Sequence, residues 1–170
     1  MKVLFLTRLY YPHIGGVERH VRGICRELSK RHHIKIITQK YDNSLKDYEK
    51  IDGVEVHRMR AEGKWEIWSW MKSHQDLLDW ADVIHAHDVY FWIMPYKLMH
   101  PAKKTCVTFH GWEGEYPVPW RNKIVRKISE RLADGNICVG DFIAKWYGTK
   151  PDYVTYGAVD QRHKHAYGAA

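Results

Sequence analysis

Apolar residues along the chain fall into two arrangements, short unbroken runs and stripes spaced by three and four, and the two alternate from one end to the other. Residues 3–7 form a run without polar alternation, as a strand buried on both faces does. After it, Val17, Val21, Ile24, Cys25 and Leu28 recur at helical spacing, with Arg19, Arg22, Arg26 and Lys30 on the remaining faces. "HIKIITQ" (33–39) predicts a second strand and "GVEVHRMR" (53–60) a third, and Ile67, Trp68, Met71, His74, Leu77, Leu78 and Ala81 mark a second helix. "ADVIHAHD" (81–88) predicts a fourth strand, "YFWIMPYKLMH" (90–100) a helix broken near Pro95, and "KTCVTFHG" (104–111) a fifth strand. Ile124, Val125, Ile128 and Leu132 make another apolar stripe, on a basic helix. "GNICVG" (135–140) and "PDYVTYGAVD" (151–160) predict sixth and seventh strands around a short helix that Asp141 caps and that ends at Trp146.

Strands separated by helices predict right-handed crossovers, hence an α/β fold: a Rossmann-like parallel sheet of about seven strands with helices on both faces. In such sheets ligands bind outside the carboxyl ends of the strands, which directs attention to residues 10–16, 85–88 and 110–116. A chain of 170 residues is sized for one domain, expected over residues 1–160, with 161–170 as the start of a linker or a trimmed tail. The apolar share of 45%, with eight Trp and eleven Tyr, excludes a disordered chain. A net charge of +7 favours anionic partners, phosphates or an acidic membrane surface, and nucleic acid is not the partner expected. Cys25, Cys106 and Cys138 are an odd set, each within an apolar run, and read as buried thiols of a reducing compartment. No apolar run approaches the roughly 20 residues of a membrane span, and the N-terminal run is too short for a secretory leader, so a cytoplasmic location is expected.

Gly15 and Gly16 precede the first helix. Without a Cβ they can take positive φ and let a ligand approach the backbone, where unpaired N–H groups and the positive end of the helix dipole suit a phosphate. Neither G-x-G-x-x-G nor G-x-x-x-x-G-K-[ST] is present, which leaves a nicotinamide-binding domain with little support. His85 and His87 alternate onto one face of a strand and Asp88 follows; zinc would need further ligands of recognisable spacing, so one histidine is expected to be buried, with His87 or Asp88 facing the cleft. His110 ends a strand and opens "HGWEGEYPVPW", whose aromatic and acidic residues, Trp112 and Glu113 first, are of the kind a sugar-binding surface uses. His32 and His33 follow the first helix, where they complement its negative end.

In chain order, "KVLFLTRLYYPHIGGVERHV", "ELSKRHHIKIIT", "ADVIHAHD", "TFHG", "LADGNICVG" and "VTYGAVD" resemble the N-terminal, acceptor-side domain of a GT-B fold, family 4 glycosyltransferase. The resemblance covers nearly the whole chain. It implies a retaining transfer of a sugar from a nucleotide sugar to a glycan or lipid-linked acceptor, without a catalytic metal or other cofactor. It further implies that Gly15 and Gly16 lie under the donor diphosphate, that Glu18 and Arg19 follow in the first helical turn as acceptor-side or cleft-lining residues, and that His110 faces the reacting centre in a hydrogen-bonding and electrostatic role. Two positions depart from the pattern, Gly140 where the family commonly has Ser and "GAVD" where it has Asn-Gly-Val-Asp. The family's second domain supplies most of the nucleotide pocket; it lies outside this chain, and the chain alone is expected to be nearly inactive. A non-catalytic glycan- or nucleotide-binding module of the same fold is the alternative. The basic stretches 19–31 and 121–131 also leave open peripheral contact with an anionic membrane at its inner face.

Overall fold

A computed structural model describes residues 1–111 and 118–156 of the chain. In chain order the elements are β1 (Lys2–Thr7), α1 (Gly16–Leu28), β2 (His33–Gln39), β3 (Tyr48–Ile51), β4 (Val54–Met59), α2 (Lys64–Ser73), α3 (Gln75–Trp80), β5 (Val83–His87), a 3₁₀ turn (Tyr90–Ile93), α4 (Met94–Met99), β6 (Lys104–Phe109), α5 (Trp120–Leu132), β7 (Gly135–Val139), α6 (Asp141–Tyr147) and β8 (Tyr153–Thr155). They build one eight-stranded sheet in the order β3-β4-β2-β1-β5-β6-β7-β8. Every pairing is parallel except β3 with β4. The α/β, Rossmann-like class read from the alternation is thus the architecture observed.

The sheet separates two cores because residues of a strand alternate between its faces. Leu4 and Leu6 of β1 join Ile84, Ala86, Val107, Phe109 and Cys138 on one face, under the helices from α2 onward. Phe5 points the other way, with Ile34, Ile36, Val54 and Val56, under Val21 and Cys25 of α1. Cys25 and Cys138 are buried free thiols as expected, whereas Cys106 is only half-buried.

Four local expectations change. Residues 48–51 form an eighth strand, joined to β4 through Asp52 and Gly53, both at positive φ (51° and 83°), the backbone of a tight hairpin. The helix expected from Ile67 to Ala81 is two, α2 and α3, meeting at His74, whose ring stacks on Trp70 at 3.8 Å. Asp141 is the first residue of α6 and Gly140, at φ 100°, is the cap position. Of the seventh strand only Tyr153–Thr155 is formed, and 157–160 lie outside the described residues.

The stripe on α5 differs most. Ile124, Val125 and Ile128 face solvent, and the residues this helix buries are Arg126 and Ser129. The inward face is polar for a reason of position. Arg126 lays its guanidinium over the rings of Phe109 (4.4 Å) and Tyr147 (3.8 Å) and donates to the carbonyl of Gly111. Only Leu132 of the stripe packs against the core.

Candidate functional site

The carboxyl ends of β1, β5 and β6 lie side by side at the centre of the sheet, and the residues that follow them converge. After β1, the loop to α1 is held from below. The carbonyl of Arg8 accepts from the backbone N–H of Gln39 (2.9 Å) and from Thr38 Oγ1 (3.1 Å). Arg58 of β4, its side chain fully buried, donates to the carbonyls of Tyr11 (2.9 Å) and Lys46 (3.1 Å) and pairs with Glu49. A buried cation bonded on several sides in this way fixes backbone better than an apolar side chain of the same volume could.

That anchored loop delivers Gly15 and Gly16. Neither takes a positive φ; Gly15 is extended (φ −145°) and Gly16 opens α1. The conformational reason offered by the sequence therefore does not apply, and the reason of close approach remains. A Cβ on Gly15 would fall 2.2 Å from Glu18 Oε2, whereas a Cβ on Gly16 would meet no atom of the described residues within 4 Å. At the mouth of α1 the Glu18 carboxylate already crowds Gly15, whereas Gly16 is open among the described residues, and the first N–H groups are unused by the helix itself. Glu18 turns back beside the loop, its carboxylate 3.1 Å from His13 Nδ1. Arg19 is exposed, and together with Tyr11, His13, Ile14, Glu18 and Arg22 it lines a pocket of about 210 Å³. Arg22 is committed elsewhere, to Asp52 (2.8 Å) and the face of Tyr11 (3.9 Å).

Histidines form the centre of the site. His85 and His87, two residues apart on β5, present stacked rings 4.5 Å apart on the face that carries Phe5. His85 Nε2 lies 2.7 Å from Thr108 Oγ1 of β6. His87 Nδ1 lies 2.7 Å from His110 Nε2, and the His20 ring of α1 stands edge-on to His110 at 5.0 Å and to His87 at 6.1 Å. Asp88, at φ 61°, accepts the backbone N–H of His110 on Oδ1 (3.0 Å), and Arg126 lies 3.8 Å from the same oxygen. His110 is thus fixed through its main chain by Asp88 and through its ring by His87. His87 itself is buried behind His110 instead of lining open space.

Burial sets the charge of this cluster. It pushes the His85 imidazole down to about 4, with His20 adding repulsion, and the His110 imidazole down to about 3, with His20 and His85 adding to it. His87 is held well below its ordinary range by burial and by its three histidine neighbours, and His20 is lowered by burial alone. All four imidazoles are neutral at pH 7, so His110 acts as a neutral hydrogen-bonding ring and not as a cation. Among the described residues His87 Nε2 is buried without a partner. An orphaned buried N–H is rarer than an under-used acceptor, which favours a bare Nε2 and a hydrogen on Nδ1. In that arrangement His87 donates to His110 Nε2, and His110 carries its own hydrogen on Nδ1.

Among the described residues no three His, Cys, Asp or Glu side chains converge as a metal site. Trp112 and Glu113, named from the sequence as cleft residues, lie outside the described residues. His20, Thr108, Arg58 and Arg126 were not singled out. His20 had a usable signal, one helical turn beyond Gly16, whereas the two arginines sit in basic, solvent-like contexts in the sequence.

The chain is 35% identical over 99 residues to an uncharacterized glycosyltransferase of Methanocaldococcus jannaschii, a match covering 52% of this chain and 25% of that protein. Its fold is similar to sucrose-phosphate synthase from Thermosynechococcus elongatus (TM-score 0.69, 13% identity), covering 90% of this chain and 47% of the other. A similar likeness holds to Anabaena HepE, solved in complex with UDP and glucose (TM-score 0.60, 16% identity, 95% and 46% covered). The chain therefore spans half or less of each of these proteins. Residues 14–156 match the sequence profile of Glycosyltransferase Family 4, and by that match over most of its length the chain belongs to this family.

Proposed function

We propose that the chain is the acceptor-side domain of a retaining glycosyltransferase that moves a sugar from a nucleotide-sugar donor to a glycan or lipid-linked acceptor, with no resident metal. The observation that carries this reading is the open backbone at Gly16, one turn of α1 from the His20–His87–His110 cluster. As the bond from C1 of the donor sugar to the diphosphate breaks, negative charge builds on the leaving group. The N-terminal N–H groups of α1 are directed at that charge, and a bare Gly16 lets the phosphates reach them. His110, neutral and held from two sides, offers a fixed N–H to an oxygen of the donor sugar or acceptor, and such a preset donor needs no reorganisation as the charge moves. Retention brings the acceptor to the face of the sugar that the diphosphate leaves, so one wall that seats both groups suits it. Membership of the family and the bound UDP of a protein of similar fold support a nucleotide donor.

Gly16→Ala separates this role from a structural one. Among the described residues nothing opposes the added methyl, and a helix gains about 0.5–1 kcal/mol from Ala over Gly, so the melting temperature should hold or rise. In the protein that carries this domain, donor KM should rise about tenfold or more, as loss of one charge-assisted hydrogen bond implies. An unchanged donor KM would remove the diphosphate from this turn. NMR of the product's anomeric configuration checks retention, and inversion would refute it.

A further inference from the structure

The outward face of α5 is built as two parallel rows. Trp120, Ile124 and Ile128 follow one another at intervals of four residues and are 67%, 48% and 43% exposed. Lys123, Lys127 and Arg131 follow at the same interval and, by the 100° turn per residue, lie directly beside the first row. α5 holds five cations and one acid, Glu130, whose carboxylate is taken up by Lys127 (2.9 Å) and by the backbone N–H of Lys150 (2.9 Å). The helix does not need this apolar row for its own packing, because Arg126 and Ser129 occupy its buried side.

We infer that α5 docks the protein on an anionic membrane surface, with the apolar row entering the headgroup layer and Lys123 and Arg131 against lipid phosphates, Lys127 being held by Glu130 and the Gly148 carbonyl. Charge complementarity selects this partner: every free charge along the row is positive. Size points the same way. A row from Trp120 to Ile128 is about 12 Å long, too little for the roughly 800 Å² per side of a stable protein interface, while residues entering a headgroup layer add up singly. Trp120 heads the row, and a Trp ring with a basic neighbour is the pairing that settles at a membrane interface. The crossover from β6 to β7 starts α5 at the strand edge where His110 lies, so docking sets the bilayer beside the cleft. As to acceptor class this rests on the proposed function, and among its options it singles out a lipid-linked acceptor.

The test is flotation of the purified protein with phosphatidylcholine vesicles, with and without phosphatidylglycerol, at low and high salt. Binding is expected only with the anionic lipid and should fall as salt rises. Lys123→Glu with Arg131→Glu should lower it at least about 25-fold, each cation near the surface being worth about 1 kcal/mol. Ile124→Ser with Ile128→Ser should abolish stable binding without loss of fold, since both side chains are exposed. Arg31→Glu, a like charge change beyond α1, should leave binding within about twofold. Indifference to anionic lipid, or α5 variants that bind like the parent, would overturn the inference. So would self-association that disappears with the isoleucine changes, which would assign the face to a second copy. None of these readouts uses donor or transfer, so docking can fail while the assignment of Gly16 stands, and the reverse.

Discussion

Among the described residues His87 has one ring nitrogen engaged and one buried without a partner, and this imbalance makes it informative. Replacing it by Phe keeps a ring between His85 and His110 and removes the orphaned nitrogen, so stability should change by less than about 1 kcal/mol. His110 would lose the contact that sets its hydrogen on Nδ1, and kcat should fall by up to about 100-fold, the penalty of a misaligned reacting group. His87→Asn, whose amide can still donate near the Nδ1 position, should recover part of that loss; a purely packing role would instead favour Phe over Asn. The same imidazoles set a pH response. Their folded values lie below the ordinary 6.5, so below that pH the unfolded chain binds protons that the fold refuses. Stability should be flat above about pH 6.5 and fall towards about pH 4 by up to about 1.4 kcal/mol per pH unit for each such histidine. A melting temperature that does not move between about pH 7 and about pH 5 would show that the cluster takes up protons without unfolding. From the sequence, the placement of Gly16, Asp88 and His110 at the carboxyl end of the sheet was legible because glycine before a helix and polar residues at strand ends are positional signals, whereas the burial of His87 behind His110 was not. Which histidine touches which was not, since those distances depend on the pairing of β5 with β6.

The element that the sequence misread most is α5, and the misreading has a physical cause. Apolar spacing locates a stripe but does not say which way it faces, and the ordinary assumption is that it faces the core. Here the inward position is claimed by a cation with ring faces above Phe109 and Tyr147 and an acceptor at Gly111. Removing that cation should be expensive although Arg is rarely counted as core. Arg126→Ala should cost about 2–3 kcal/mol in urea unfolding, from lost packing against Phe109 and Tyr147 and from the loss of one of the two donors, with the Tyr147 hydroxyl, to the Gly111 carbonyl. A cost below about 0.5 kcal/mol would place the guanidinium outside the core. β3 was missed for a different reason. Its residues Tyr48–Ile51 lack a clean apolar alternation, but Asp52 and Gly53 at the following turn are a hairpin signal that stands in the sequence unaided.

At the scale of the molecule, a parallel sheet covered by helices was legible because strands alternate with helices along the chain and each such crossover has one hand, while the order of the strands comes from the structure. Not legible was how unevenly the two faces are covered. The larger core gathers residues from α2 to α6, whereas the smaller one, around Phe5, Ile36 and Val56, has α1 as its only described helix. Local stability follows such differences in buried apolar contact. The glycine turn and His20 therefore ride on the helix that can lift from the sheet most cheaply, while Asp88 and His110 are rooted in the thicker half. A ligand seated at Gly16 would tighten the thinner core in proportion to its saturation. With such a ligand the cleft would have one firm wall and one whose firmness depends on what is bound, so occupancy at this edge would be written into the rigidity of α1.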